Sequence, residues 1–272
     1  CIRDSNNIGI TNAITVASGG IIENGPTAAS PAVVAALSGT NSIDTVLTGT
    51  TGLAKDGSGE LSLTTPNFFT GAVTANTAGA VIKAAFLDDN SSSLGAGSLS
   101  DPTKLQLGAG AALEFTGTTN TVSSRSFTLT DSAGIAAGVG AGTLTFTSDA
   151  KIDLVGADPQ LKLSANNSGN NIFRASLTDA DILAGNGIKT LTVDGTGTTT
   201  LAGTTVGTGT ANGSLQLQHA TGLNVALEKL TLNGTGYLNN GALQNVSGNN
   251  TWSGIVTLGS AARIQSDANT LT

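Results

Sequence analysis

Along this chain, aliphatic residues alternate with threonine, serine, lysine, aspartate or glutamine in short runs: NAITVAS, DTVLTG, ELSLTT, KLQLG, ALEFTG, SFTLTD, GTLTFTS, AKIDLVG, QLKLSA, KTLTVDG, SLQLQ, KLTLNG and IVTLG. A period of two gives each run one face for a core and one for water, the pattern of a half-buried strand. Glycine, asparagine and aspartate separate the runs and supply turns with positive φ. Only PAVVAAL, residues 31–37, reads as a short helix. An all-β chain of this kind is either a sandwich or barrel, or a coil of parallel rungs. Three features favour the coil. Aromatic residues are 3% of the chain, few for a thick core, and the apolar residues are nearly all Leu, Ile, Val and Ala, which stack from rung to rung. Glycine and asparagine recur where a coil must bend. At roughly 20–25 residues per rung, such a β-solenoid has about 11–13 rungs, and at about 4.8 Å per rung it is a rod of about 55–60 Å.

Self-similarity at long period supports a repetitive body. Leu53-Ala54-Lys55-Asp56-Gly57-Ser58-Gly59 matches Leu191-Thr192-Val193-Asp194-Gly195-Thr196-Gly197. KLQLGAGAAL (104–113) matches KLTLNGTGYL (229–238), with Leu105, Leu107 and Leu113 against Leu230, Leu232 and Leu238. FTLTDSAGI (127–135) matches VTLGSAARI (256–264), and GTLTF (142–146) matches NTLT (269–272). AITVASGGI (13–21) joins the same series. The expected organisation is one continuous solenoid over 1–272, with 1–52 the tail of a unit, 53–190 a full unit and 191–272 a truncated one. The expectation is an interior slice of a longer protein, or a subunit that stacks on copies of itself.

Composition narrows the function classes. Of 272 residues, 37 are glycine and only 11% are charged, well below the ~25% of ordinary globular proteins. The 39% hydrophobic content in regular alternation argues against disorder. Net charge is −7, and the 11 basic residues are scattered, which argues against a nucleic-acid groove or a basic membrane-surface helix. No apolar run is long enough to read as a membrane-spanning helix. Cys1 is the only cysteine, so no internal disulfide forms; it also raises the idea of a lipid-modified first residue. An acidic, Thr/Asn-rich chain without Met matches the composition of secreted bacterial proteins.

The stretch LAKDGSGELSLTTPNFFTGAVTANTAGAVIKA resembles the autotransporter-associated β-strand repeat, which combines a K-x-G-x-G-x-L-x-L turn and strand with an N-x-[YF]-x-G turn and an A-G-x-L strand. Lys55, Gly57, Gly59, Leu61, Leu63, Asn67, Phe69, Gly71 and Gly79 occupy the motif positions. AALEFTG and NNTWSGIVTLGSAARI are similar to segments that follow such repeats. The resemblance implies a right-handed β-helix exported to a bacterial surface, often as an adhesin or structural passenger.

Catalytic chemistry finds little support in the residue pattern. His219, the only histidine, lies in QLQHATG, a strand leaving into a turn without a nucleophile elbow, and reads as a solvated turn residue. One His and one Cys do not suggest a zinc site. Calcium at Asp56-Gly57, Asp194-Gly195 or Asn233-Gly234 lacks a repeating ligand series, and positive φ alone explains those dipeptides. Paired carboxylates are the better enzymatic idea: Asp88 with Asp89, Asp149 with Asp153, and Asp179 with Asp181, although Lys151 between the middle pair would neutralise it. Phe68, Phe69 and Trp252 are either adhesive side chains or plugs at corners of the coil. The expected function is a non-catalytic, extracellular structural or adhesive rod of a bacterial surface protein or fibre, with no cofactor or metal. Its expected partners are copies of itself end to end, surface glycans, or receptors on host or neighbouring cells. The alternative is a carbohydrate-active β-helix enzyme.

Overall fold

The computed structural model describes residues 9–10, 14–15, 20–23, 32–36, 39–50, 52–155, 160–179, 190–195, 198–201, 214–219, 222–225 and 230–272. Within them the chain is a parallel β-solenoid with three sides. One coil shows the plan. Leu53–Asp56 lies on a first side, Glu60–Leu63 on a second, Asn67–Thr70 crosses a third, and Val73–Ala75 returns to the first. Gly57, at φ 72°, makes the first bend in a conformation that disfavours a side chain bearing Cβ. Pro66 precedes the Asn67 corner, where its missing N–H costs no ladder bond.

The second side is an 11-stranded sheet in which ten strands, from Thr40–Ile43 to Ile264–Ser266, run parallel. The first side is an eight-stranded sheet whose seven parallel strands, Ala32–Ala36 to Ser176–Asp179, mark about 6 turns. The third side holds Thr121–Ser123, Leu144–Phe146, Asn170–Phe173 and Thr198–Leu201. The ten rungs of the long sheet fall just below the expected 11–13, because the strand before Thr40–Ile43, Ile14–Thr15, pairs antiparallel and several coils exceed 25 residues. Register partners on the long sheet lie 20 positions apart for Thr40 and Glu60 but 31 apart for Val81 and Ala112.

The core is a set of columns. Leu61, Ile82, Leu113, Ile135 and Leu163 stack in register, all buried. Beside them run Leu63, Ala84, Phe115, Ala137 and Ala165, where the Phe115 ring lies between two alanines, so large stacks over small. Each such Leu, Ile or Phe contributes about 1.5–3 kcal/mol of burial. Phe127 of the first side and Phe146 and Phe173 of the third form a tilted series with centroids 6.0 and 5.7 Å apart. Between these inward residues, Ser62, Lys83, Glu114 and Ser164 are only partly buried, as a period of two requires.

Three expectations change. Ala32–Ala36, read as helix, is a strand paired parallel with Leu53–Asp56; β-branched Val33 and Val34 suit the sheet that receives them. The strands Gly9–Ile10, Ile14–Thr15 and Gly20–Glu23 all pair antiparallel with the first coil, so this segment runs against the direction of the rungs. The repeat landmarks coincide in being strands but not always in side. Leu53–Asp56 belongs to the first side, whereas its match Thr190–Gly195 belongs to the long sheet. Leu113 is buried at 1% exposure, while its match Leu238 lies in a turn at φ 51° and is 72% exposed.

Candidate functional site: a lateral pocket at the expanded coil

The motif residues of the 53–79 stretch are structural. Lys55 is buried on a strand in register with Val34 and Ala75, and its Nζ donates to the carbonyls of Asp56 and Gly57 at 2.7 and 2.6 Å. Burial pushes its pKa down, and Asp56 opposes that. The Asp56 carboxylate accepts from Thr77 Oγ1 and from the Gly57 N–H, both at 2.7 Å, which holds its pKa below the usual range. Gly79, at φ 75°, stacks its turn over Ser58, while Gly59 is buried and Gly71 half-buried. Leu61, Leu63 and Phe69 are fully buried.

Asn67 ties three coils together. Its Oδ1 accepts from Leu47 N at 2.7 Å, and its Nδ2 donates to Ser93 O at 2.7 Å. The same bond recurs twice: Leu144 N donates to Asn171 Oδ1 at 2.9 Å, and Leu223 N to Asn250 Oδ1 at 2.6 Å. Each asparagine is followed two residues later by an aromatic ring, Phe69, Phe173 or Trp252, turned against the core. The sequence spells this as NFF, NIF and NTW, a signal that the long-period matches passed over.

After the Asn67 corner, the next coil is expanded. Residues 85–104 leave the third side, bury Leu87 and Leu94 beneath themselves, and return through the short turn Pro102–Lys104. Ser93 anchors the excursion: its Oγ donates to Leu63 O at 3.0 Å and accepts from Phe86 N at 3.1 Å. Gly95 is held at φ 82° against Phe69; a Cβ there would stand 2.5 Å from the Phe69 carbonyl oxygen. Outside this plug lies a pocket of about 330 Å³ bordered by Phe68, Asp89, Ser91, Ser98, Leu99 and Arg125, within the range of small-ligand sites, about 300–1,000 Å³. Phe68 is 58% exposed at its rim, whereas Phe69 is fully buried and plugs the corner.

Arg125 comes from the following coil and is 2% exposed. Its Nη2 donates to Gly95 O at 2.9 Å, while Nε and Nη1 have no partner. Burial pushes its pKa down, with the Asp89 charge opposing. Asp89 is exposed and accepts from Ser124 N at 2.7 Å.

The other candidate residues are spread out. Asp88 and Asp89 lie on the excursion, Asp149 in an exposed turn, and Asp153 on the outer face of the first side, in register with Thr128 and Thr178. Asp179 ends the strand Ser176–Asp179, and Asp181 lies outside the described residues. His219 is buried rather than solvated, because its strand Ser214–Gln218 runs under the backbone of 247–248, where Ser247 O accepts from His219 N at 3.3 Å. Among the described residues no three His, Cys, Asp or Glu side chains gather as a metal site, and no helix is long and apolar enough to cross a membrane. Comparison with protein families, curated proteins and solved structures gives no match to this chain.

Proposed function

We propose that the chain is a non-catalytic, extracellular structural or adhesive β-solenoid segment of a bacterial surface protein or fibre. The observation that carries this reading is the division between inside and outside. Aliphatic columns run through successive coils, while the outer positions of the same strands hold Ser, Thr, Gln and a few charges, as in Thr74, Gln106 and Asp153. Such a body is stable through nearest-neighbour stacking and offers a long surface for contact. The likeness of residues 53–79 to the autotransporter-associated repeat supports the same assignment. Association of copies end to end is part of the proposal.

The test has two parts. Protease treatment of intact producing cells should remove the protein, as surface display requires. Incubation of the purified chain with neutral and acidic polysaccharides should leave the reducing ends unchanged. Protection inside the cell contradicts the location. Release of new reducing ends that Asp89→Asn or Asp153→Asn abolishes establishes the enzyme instead.

A further inference from the structure

We infer that the lateral pocket binds a carboxylate-bearing sugar residue, with Arg125 at its floor, Phe68 at its rim and Asp89 on its wall; this rests on the adhesive reading above. Arg125 is a buried cation with one hydrogen bond, to Gly95 O, and two unpaired nitrogens. An unpaired buried charge is costly, and a guanidinium matches the planar fork of a carboxylate. Among the described residues, no carboxylate lies within ion-pair distance of it, and Asp89 uses one oxygen on the Ser124 N–H. A ligand anion therefore supplies what the chain does not.

The neighbours narrow the class. Asp89 places a negative charge on the same pocket, which opposes a multiply charged phosphate or sulfate but accepts hydroxyl donors. Ser91 and Ser98 add hydroxyls, and Phe68 offers an exposed ring face at the mouth. One carboxylate, several hydroxyls and a flat apolar face describe a uronate or a sialate. Nε and Nη1 are shielded from solvent, so contact requires part of the neighbouring wall to yield. Gly95 and Ala96 are held against Phe69, with Ala96 N donating to Phe69 O at 2.8 Å, which leaves Gly97 and Ser98 as the part that moves.

Isothermal titration of the whole chain with a glucuronate-containing oligosaccharide, with sialyllactose and with neutral lactose tests the site. At least one acidic sugar should bind with a Kd below about 1 mM, and lactose roughly tenfold or more weaker. Which acidic sugar binds identifies the source of the carboxylate. Phe68→Ala, at an exposed position, should weaken binding several-fold with an unchanged melting temperature. Arg125→Lys should abolish the preference for acid over neutral sugar. Equal affinity for acidic and neutral sugars, no binding of either, or full affinity in Phe68→Ala and Arg125→Lys overturns the site. Those failures leave the structural reading standing, whereas sugar cleavage overturns that reading itself.

Discussion

The coil that begins at Leu53 and the coil that follows it share a sheet register yet differ on one side. Glu60 and Val81, 21 positions apart, are strand partners, and so are Val81 and Ala112, 31 apart. The extra residues change nothing in the columns: Leu61, Ile82 and Leu113 remain stacked and buried. They are absorbed at the third side, where the chain swings out over Phe69 and leaves a pocket. A solenoid is held by contacts between neighbouring rungs, so an insertion at a corner leaves the ladder intact while creating a concave surface that the regular coil lacks. The compact coil carries stability, and the expanded coil carries the candidate for recognition.

Substitutions at adjacent residues should separate these roles. Phe69→Ala opens a cavity under the plug and should cost about 3–5 kcal/mol in chemical denaturation. A loss under about 1 kcal/mol would mean that the excursion, not the ring, seals this corner. Asn67→Ala strands the Leu47 N–H and the Ser93 carbonyl, and should cost about 2–4 kcal/mol. Asn171→Ala and Asn250→Ala should be milder if the excursion makes the Asn67 corner special, and equal if the shared Leu bond dominates. Lys55→Ala, which leaves the Asp56 and Gly57 carbonyls without their ammonium, should cost about 1–3 kcal/mol by the same measurement.

Acidification should have the smallest effect. Hydrogen bonds from Thr77 and Gly57 depress the pKa of Asp56, those from Ser42 and Thr64 that of Asp44, and those from Lys83 and Thr40 that of Glu60. Depressed folded-state values mean stability that is fully present above the ordinary values of 3.8 and 4.5 and lost as pH falls through the lower folded ones. All three groups are largely hydrated, so melting temperature should be flat from neutral pH to about 5 and fall gently below about 4. A steep loss above pH 5 would point to a buried titrating group instead.

Much of the architecture was legible in the sequence because a half-buried strand must alternate. ELSL, KLQL and QLKLSA appear as strands with their leucines inside. Ala32–Ala36 was misread because VVAA does not alternate, and composition alone does not separate such a run from a helix. The match of Leu238 to Leu113 does not extend to burial, because matching leucines says nothing about the turn that points one of them outward. The pocket was hidden for another reason. Arg125 is a lone cation in SSRSF, and only contact across coils makes it a floor. One signal was present: DDNSSSLGAGSLSDPTK breaks the strand rhythm for longer than any turn needs. The residues of the 53–79 stretch, by contrast, hold the coil together.

The most direct measurement is hydrogen–deuterium exchange by mass spectrometry, with and without the acidic oligosaccharide that binds. The account predicts strong protection of the ladder strands in both conditions, with ligand-dependent slowing confined to peptides covering 86–101 and 121–126. Slowing spread along the outer faces of the rod, or confined to a different coil, would contradict it.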